Sequence, residues 1–200
     1  MTDTSLPTNS APTRTILGVI GSLRRDSFNR RLLEHAAATA PARLRIDIAA
    51  DLIRLPLFNE DLEVDGGFPP EVAEMHARIR AADGLLLATP EYNFGVPGTV
   101  KNFLDWASRP PGRGPLTGKP VALIGASTGR VGGTVQAQGQ LRISLAVMGA
   151  HVLPSPPVLI AEAPTRFGDQ GISDELTAKI LGFALDRFAD FIDSLAPRPT

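Results

Sequence analysis

Three runs of this chain carry no polar side chain: Ile16-Leu17-Gly18-Val19-Ile20, Gly84-Leu85-Leu86-Leu87-Ala88 and Pro120-Val121-Ala122-Leu123-Ile124-Gly125-Ala126. An apolar run of that length, bounded by turn residues, reads as a strand that must be covered on both faces. Strands are therefore expected at Thr15–Gly21, Gly84–Thr89 and Pro120–Ala126. A segment with helical spacing follows each of them.

The remaining elements complete the pattern. Residues 26–40 read as a helix with Phe28, Leu32 and Ala36 on one face. Arg43–Ala49 alternates apolar and polar residues, as an edge strand does. Residues 51–68 are too polar and too interrupted by Pro and Gly for a regular element. Pro69 and Pro70 open a helix with the stripe Val72, Met75, Ile79 and Ala82. Helices are also expected at Pro97–Ser108 and 133–149. His151–Leu153 and Val158–Ile160 form a last strand region broken by prolines. Residues 174–195 form a helix whose apolar residues are Leu176, Ile180, Phe183, Phe188, Phe191 and Leu195. Asp174 and Glu175 favour its start.

Five β-α units in succession predict an α/β protein: a parallel sheet with helices on both faces and right-handed crossovers. Ligands of such sheets sit beyond the carboxyl ends of the strands, where the strand order switches. The expected organisation is a disordered tail at 1–13, one domain at 14–195 and a frayed end at 196–200. Two hundred residues suffice for one full core.

The loop after the first strand is Gly21-Ser22-Leu23-Arg24-Arg25-Asp26-Ser27-Phe28-Asn29. A helix start offers unpaired backbone N–H groups and a partial positive charge. Ser22, Ser27 and Asn29 add neutral donors, and Arg24 adds a planar cation suited to phosphate. The same residues could form an ordinary turn, capped by Asp26 or Ser27. The loop has neither a Walker A lysine nor G-x-G-x-x-G, which favours one terminal phosphate over a triphosphate or a Rossmann dinucleotide.

Two further loops leave the same sheet edge. Thr89-Pro90-Glu91-Tyr92-Asn93-Phe94-Gly95-Val96-Pro97-Gly98 holds the only tyrosine and is stiffened by prolines. Gly125-Ala126-Ser127-Thr128-Gly129-Arg130-Val131-Gly132-Gly133-Thr134 is small and leaves backbone amides accessible. A phosphate cluster, a rigid aromatic loop and a Gly-rich wall together suit a flavin mononucleotide.

Composition narrows the chemistry. The absence of cysteine excludes disulfides, thiolate nucleophiles and Cys-ligated metals. A formal charge of −1 offers no electrostatic case for nucleic acid or membrane partners. His35, His76 and His151 lack ligand spacing and read as structural, and no metal site is expected. Residues 1–13 lack the apolar core of a secretory signal, and no apolar run reaches membrane length, so a cytoplasmic location is expected.

Gly21-Ser22-Leu23-Arg24 with Ser27-Phe28-Asn29, then Thr89-Pro90-Glu91-Tyr92-Asn93, then Pro97-Gly98 before Lys101-Asn102 and Asp105-Trp106, resemble the NADPH-dependent FMN reductase family. Gly118-Lys119-Pro120 leading to Gly125-Ala126-Ser127 and Gly129 is similar to the same family, within it to the chromate, quinone and azo-dye reductase branch. The resemblance runs from about 14 to 194. It implies a flavodoxin-like three-layer sandwich with a five-stranded parallel sheet of order 2-1-3-4-5. It also implies non-covalent FMN, NADPH or NADH as electron donor, small-molecule acceptors and a homodimer or homotetramer. By resemblance, Ser22, Arg24, Ser27 and Asn29 hold the phosphate. Pro90, Glu91, Tyr92, Asn93 and Phe94 line the ring and ribityl chain, and Ser127, Gly129 and Arg130 border the ring on its other side. Phe94 stands where close relatives often have a second tyrosine. No catalytic side chain is expected, because the cofactor performs the hydride chemistry. Two rivals stay open: a flavodoxin-like electron carrier, and a non-enzymatic module that binds a phosphate ligand.

Overall fold

The computed structural model describes residues 12–49, 52–154 and 156–196. The expected tail lies outside the described residues up to position 11, and the expected frayed end lies outside them from 197. Strands β1 (Arg14–Ile20), β2 (Leu44–Ala49), β3 (Gly84–Ala88) and β4 (Pro120–Ala126) pair in parallel in the order β2-β1-β3-β4. Two short strands share the next position. β5 (His151–Val152) pairs with Pro120 and Val121, and β6 (Val158–Ile160) pairs with Ile124, Gly125 and Ala126. Pro154, Pro156 and Pro157 lie between them, and proline cannot donate to a ladder. The order is thus 2-1-3-4-5, with the fifth position split.

Alternate side chains of each strand face opposite layers. Ile16, Ile20, Leu86, Ala122 and Ile124 pack under helices α1 (Phe28–Ala38) and α6 (Glu175–Leu195). Leu17, Val19, Leu85, Leu87, Val121 and Leu123 pack under α2 (Pro70–Ala81), α3 (Gly98–Ala107) and α4 (Val135–Val147). Each fully buried Leu, Ile or Val contributes about 1.5–3 kcal/mol. This alternation is why polar-free strands suit a sheet covered twice.

Helix α6 divides its apolar residues between the sheet and the surface. Its buried face is Thr177, Leu181, Leu185, Phe188, Ala189 and Ile192. Leu176, Ile180, Phe183 and Leu195 stand exposed, and of the expected apolar residues only Phe188 is fully buried. The helix is apolar on two sides, so period alone does not say which side meets the sheet. The segment at 51–68 also holds two short 3-10 turns, Leu52–Arg54 and Glu60–Leu62. A short helix α5 (Ala163–Arg166) and a hairpin of β7 (Phe167–Gly168) and β8 (Gly171–Ile172) close the α1 side. There the Arg31 guanidinium lies over the rings of Phe28 and Phe167, at 5.6 and 5.3 Å.

Candidate flavin site

The carboxyl ends of β1, β3 and β4 deliver three loops to one cleft. Gly21 sets the first contact: its N–H donates to Ala88 O at 2.8 Å, and Thr99 Oγ1 donates to Gly21 O at 3.1 Å. A Cβ at Gly21 would stand 2.7 Å from Val100 Cγ2 and 3.0 Å from Ala88 O, so only glycine lets β1 leave this close to β3.

Helix α1 starts at Phe28, and Ser27 caps it by accepting from Asn29 N at 3.2 Å. No acidic residue stands in the first turn. The Arg24 N–H lies 3.4 Å from Ser22 Oγ. The N–H groups of Leu23, Arg25 and Asp26 donate to no acceptor among the described residues. Ser22 and Ser27 are buried, whereas Arg24 and Arg25 are exposed. The unpaired amides, two hydroxyls, an uncompensated helix start and the Arg24 cation form a donor set for a dianion. These residues fit a terminal phosphate.

Ser22, Arg24, Ser27, Asn29, Pro90, Glu91, Tyr92 and Ser127 line one cleft with Phe28, Ala126 and Thr128. The cleft thus joins eight of the twelve expected residues. Asn93, Phe94, Gly129 and Arg130 lie outside its lining. A larger groove beside α2 has Leu17, Val19, Leu55, Met75 and Phe103 in its wall, and its charged lining, Arg54 and Arg78 with Glu71 and Glu74, is balanced. Donor chemistry, not size, selects the cleft at α1.

The side chains in the cleft divide their work. Asn29 Nδ2 donates to Ala126 O at 2.8 Å, and its Oδ1 accepts from Ala126 N at 2.9 Å. The buried amide thus joins α1 to the end of β4 and is committed to the fold. Glu91 Oε2 accepts from Gln136 N at 2.8 Å and Ala137 N at 3.0 Å, at the start of α4. Tyr92, about half exposed, places its OH 3.4 Å from Ser22 Oγ. Tyr92 and Gly95 exchange backbone hydrogen bonds of 3.2 and 3.0 Å around a two-residue turn. Asn93 and Phe94 occupy that turn with φ of 51° and 59°. Left-handed backbone is ordinary for Asn but costs a residue such as Phe about 1–2 kcal/mol. The Phe94 side chain is 80% exposed.

On the opposite wall, Ser127 Oγ accepts from Gly129 N at 3.1 Å and Ser127 N donates to Ile160 O at 2.8 Å. Arg130 is exposed and lies 3.4 Å from Glu162. A Cβ at Gly125 would stand 2.6 Å from Thr89 O and collide with Thr134 Oγ1. Glycine there brings the starts of the second and third loops together. Behind the site, Asn102 Nδ2 and Trp106 Nε1 both donate to Pro56 O, at 2.9 and 2.8 Å, and Phe58 N donates to Asn102 Oδ1 at 2.7 Å. The α3 residues that stood out in the sequence therefore anchor a neighbouring loop. Gln140 Nε2 donates to Phe94 O at 3.1 Å, a contact 46 positions apart that no local signal could have revealed.

The family described as NADPH-dependent FMN reductase matches residues 14–165. The chain is 47% identical over 156 residues to an NAD(P)H-dependent FMN reductase of Pseudomonas aeruginosa, covering 78% of this chain and 82% of that protein. It is 41% identical to a 2-hydroxy-1,4-benzoquinone reductase of Burkholderia sp., covering 87% and 93% of the two. Among solved structures, it is similar to FerB, a flavoenzyme NAD(P)H:(acceptor) oxidoreductase from Paracoccus denitrificans. The TM-score is 0.83 and the identity 36%, over 91% of this chain and 98% of that one.

Proposed function

This chain belongs to the NADPH-dependent FMN reductase family, and we propose that it passes electrons from NADPH or NADH to small quinones. The enzyme class, an NAD(P)H-dependent oxidoreductase with FMN as cofactor, comes with the family. Quinones are favoured as acceptors by the name of the Burkholderia relative. Azo compounds, chromate and free flavin are further candidates for the same open cleft.

The observation that carries this reading is the cleft itself: unpaired amides at the start of α1, beside a half-exposed tyrosine. Ser22, Arg24, Ser27 and the loop amides would hold the FMN phosphate. Pro90 and Tyr92 would form one wall for the ring, and Ser127 with Thr128 the other. Asn29 would act at one remove, by holding Ala126. Asn93, Phe94, Gly129 and Arg130 would serve the rim. When bound, FMN supplies a two-electron carrier that no side chain offers. The protein's part is to orient it and to leave one face open to both substrates. Donor and acceptor then use one opening in turn, which is ping-pong kinetics.

A protein-partnered electron carrier is disfavoured by the arginine-rich mouth and the net charge of −1. The test is NADPH oxidation by the FMN-loaded chain with benzoquinone and no other protein. Turnover that needs both FMN and quinone supports the reading. Absence of turnover overturns it in favour of a carrier. Parallel double-reciprocal lines support the alternating order, and intersecting lines contradict it.

The proposed FMN-binding domain spans residues 14–195, and the proposed compartment is the cytoplasm. Two exposed apolar faces support association of identical copies. One is Val135, Ile143 and Val147 on α4, with Gly139 open between them. The other is Leu176, Ile180 and Phe183 on α6. Use of one face gives a homodimer, and use of both gives a homotetramer. Light scattering of the purified chain decides between them, and a strictly monomeric active species contradicts both.

A further inference from the structure

We propose that Glu91 is a positioning residue, which holds Tyr92 at the phosphate cleft by acting as the N-terminal cap of helix α4. The proposal rests on the flavin-site reading above and adds a role for a side chain that the fold turns away from ligand chemistry.

Helix α4 does not cap itself. Thr134 stands at its N-cap position but makes no side-chain cap bond, and its hydroxyl accepts from Gln138 Nε2 at 3.1 Å. The orphan N–H groups of Gln136 and Ala137 turn instead to one oxygen, Glu91 Oε2, supplied from 45 positions earlier in the chain. A carboxylate there satisfies two donors and meets the positive end of the helix.

The next residue along the chain is Tyr92, whose OH lies 3.4 Å from Ser22 Oγ in the phosphate loop. One turn further along α4, Gln140 makes a second tie to the same loop. Its Nε2 donates to Phe94 O at 3.1 Å, and its Oε1 accepts from Val96 N at 3.4 Å. The turn between these ties holds two residues in left-handed conformation, Asn93 and Phe94. Such backbone persists where surrounding contacts over-determine it. Glu91 and Gln140 are those contacts, and they set where the tyrosine stands relative to the phosphate donors.

The test compares Glu91→Ala and Glu91→Gln with the full wild-type chain. Without FMN, amide exchange at Gln136 and Ala137 is expected to speed about tenfold in Glu91→Ala, as loss of a cap implies. In the FMN titration, followed by fluorescence quenching, affinity is expected to fall about tenfold in Glu91→Ala and to stay within about threefold of wild type in Glu91→Gln, whose amide oxygen can still accept. Unchanged exchange or unchanged FMN affinity in Glu91→Ala overturns the proposal. So does a Glu91→Gln variant as weak as Glu91→Ala, since the charge would then act on the ligand itself. A wild-type chain that fails to bind FMN overturns the flavin-site reading, while the exchange arm still decides whether Glu91 caps α4.

Discussion

Asn29, two residues into the turn from loop to helix α1, grips both backbone groups of Ala126, the last residue of β4. The two hydrogen bonds measure 2.8 and 2.9 Å and are fully buried. One amide thereby stands in for a missing neighbour strand at the sheet's ligand edge. Asn29→Ala leaves a buried N–H and a buried C=O unpaired, and the expected loss is about 2–4 kcal/mol. Urea unfolding checks it: the midpoint should fall with an unchanged slope.

Arg24 has no carboxylate partner among the described residues and stands exposed at the cleft. Its charge is free for a phosphate. Arg24→Ala is expected to weaken FMN binding by about 1.5–3 kcal/mol. The loss should shrink as salt is added, because the site is open to screening. Unchanged affinity in that variant would move the phosphate elsewhere.

The doubly covered parallel sheet and the meeting of three loops were legible because both follow from local signals, whereas the strand order came only with the family resemblance. Polar-free runs demand cover, Ser27 marks a helix start, and ligand loops of parallel sheets share an edge. The work of single side chains was less legible. Asn29 reads as a phosphate donor from its position, yet its partner lies 97 residues on. Glu91 reads as a ring neighbour, yet its oxygen answers a helix start that only the folded chain brings near. The exposure of Leu176, Ile180 and Phe183 was not legible, because a helix apolar on two sides gives no hint of which one the sheet takes.

Gly125→Ala tests the join between the second and third loops. The new Cβ would meet Thr89 O and the buried Thr134, neither of them a flexible chain end. Overpacking of this kind costs about 1–3 kcal/mol, or a fall of roughly 2–12 °C in Tm for a chain of this size. A melting temperature within about 1 °C of wild type would contradict the packing described.

His76 gives the chain an acid limit. It is buried, its Nε2 lies 2.9 Å from Trp106 O, and its Nδ1 has no partner among the described residues. Burial holds its pKa below the usual 6.5, against the opposing pull of the Trp106 carbonyl. The unfolded chain therefore binds a proton at a pH where the folded one does not. The stabilisation is complete above pH 6.5 and is lost as pH falls from there toward the lowered folded value. His35, also lowered by burial, adds in the same direction. His76→Gln should flatten the dependence of the urea midpoint on pH between about 7 and 5. An equal slope in the variant would clear His76 of the effect.

The most direct measurement is a titration of the purified, flavin-stripped chain with FMN and, in parallel, with riboflavin. The expected result is a yellow complex, quenched flavin fluorescence and binding that is much weaker when the phosphate is missing. A chain that stays colourless, or that binds riboflavin as well as FMN, would contradict a phosphate held at the start of α1.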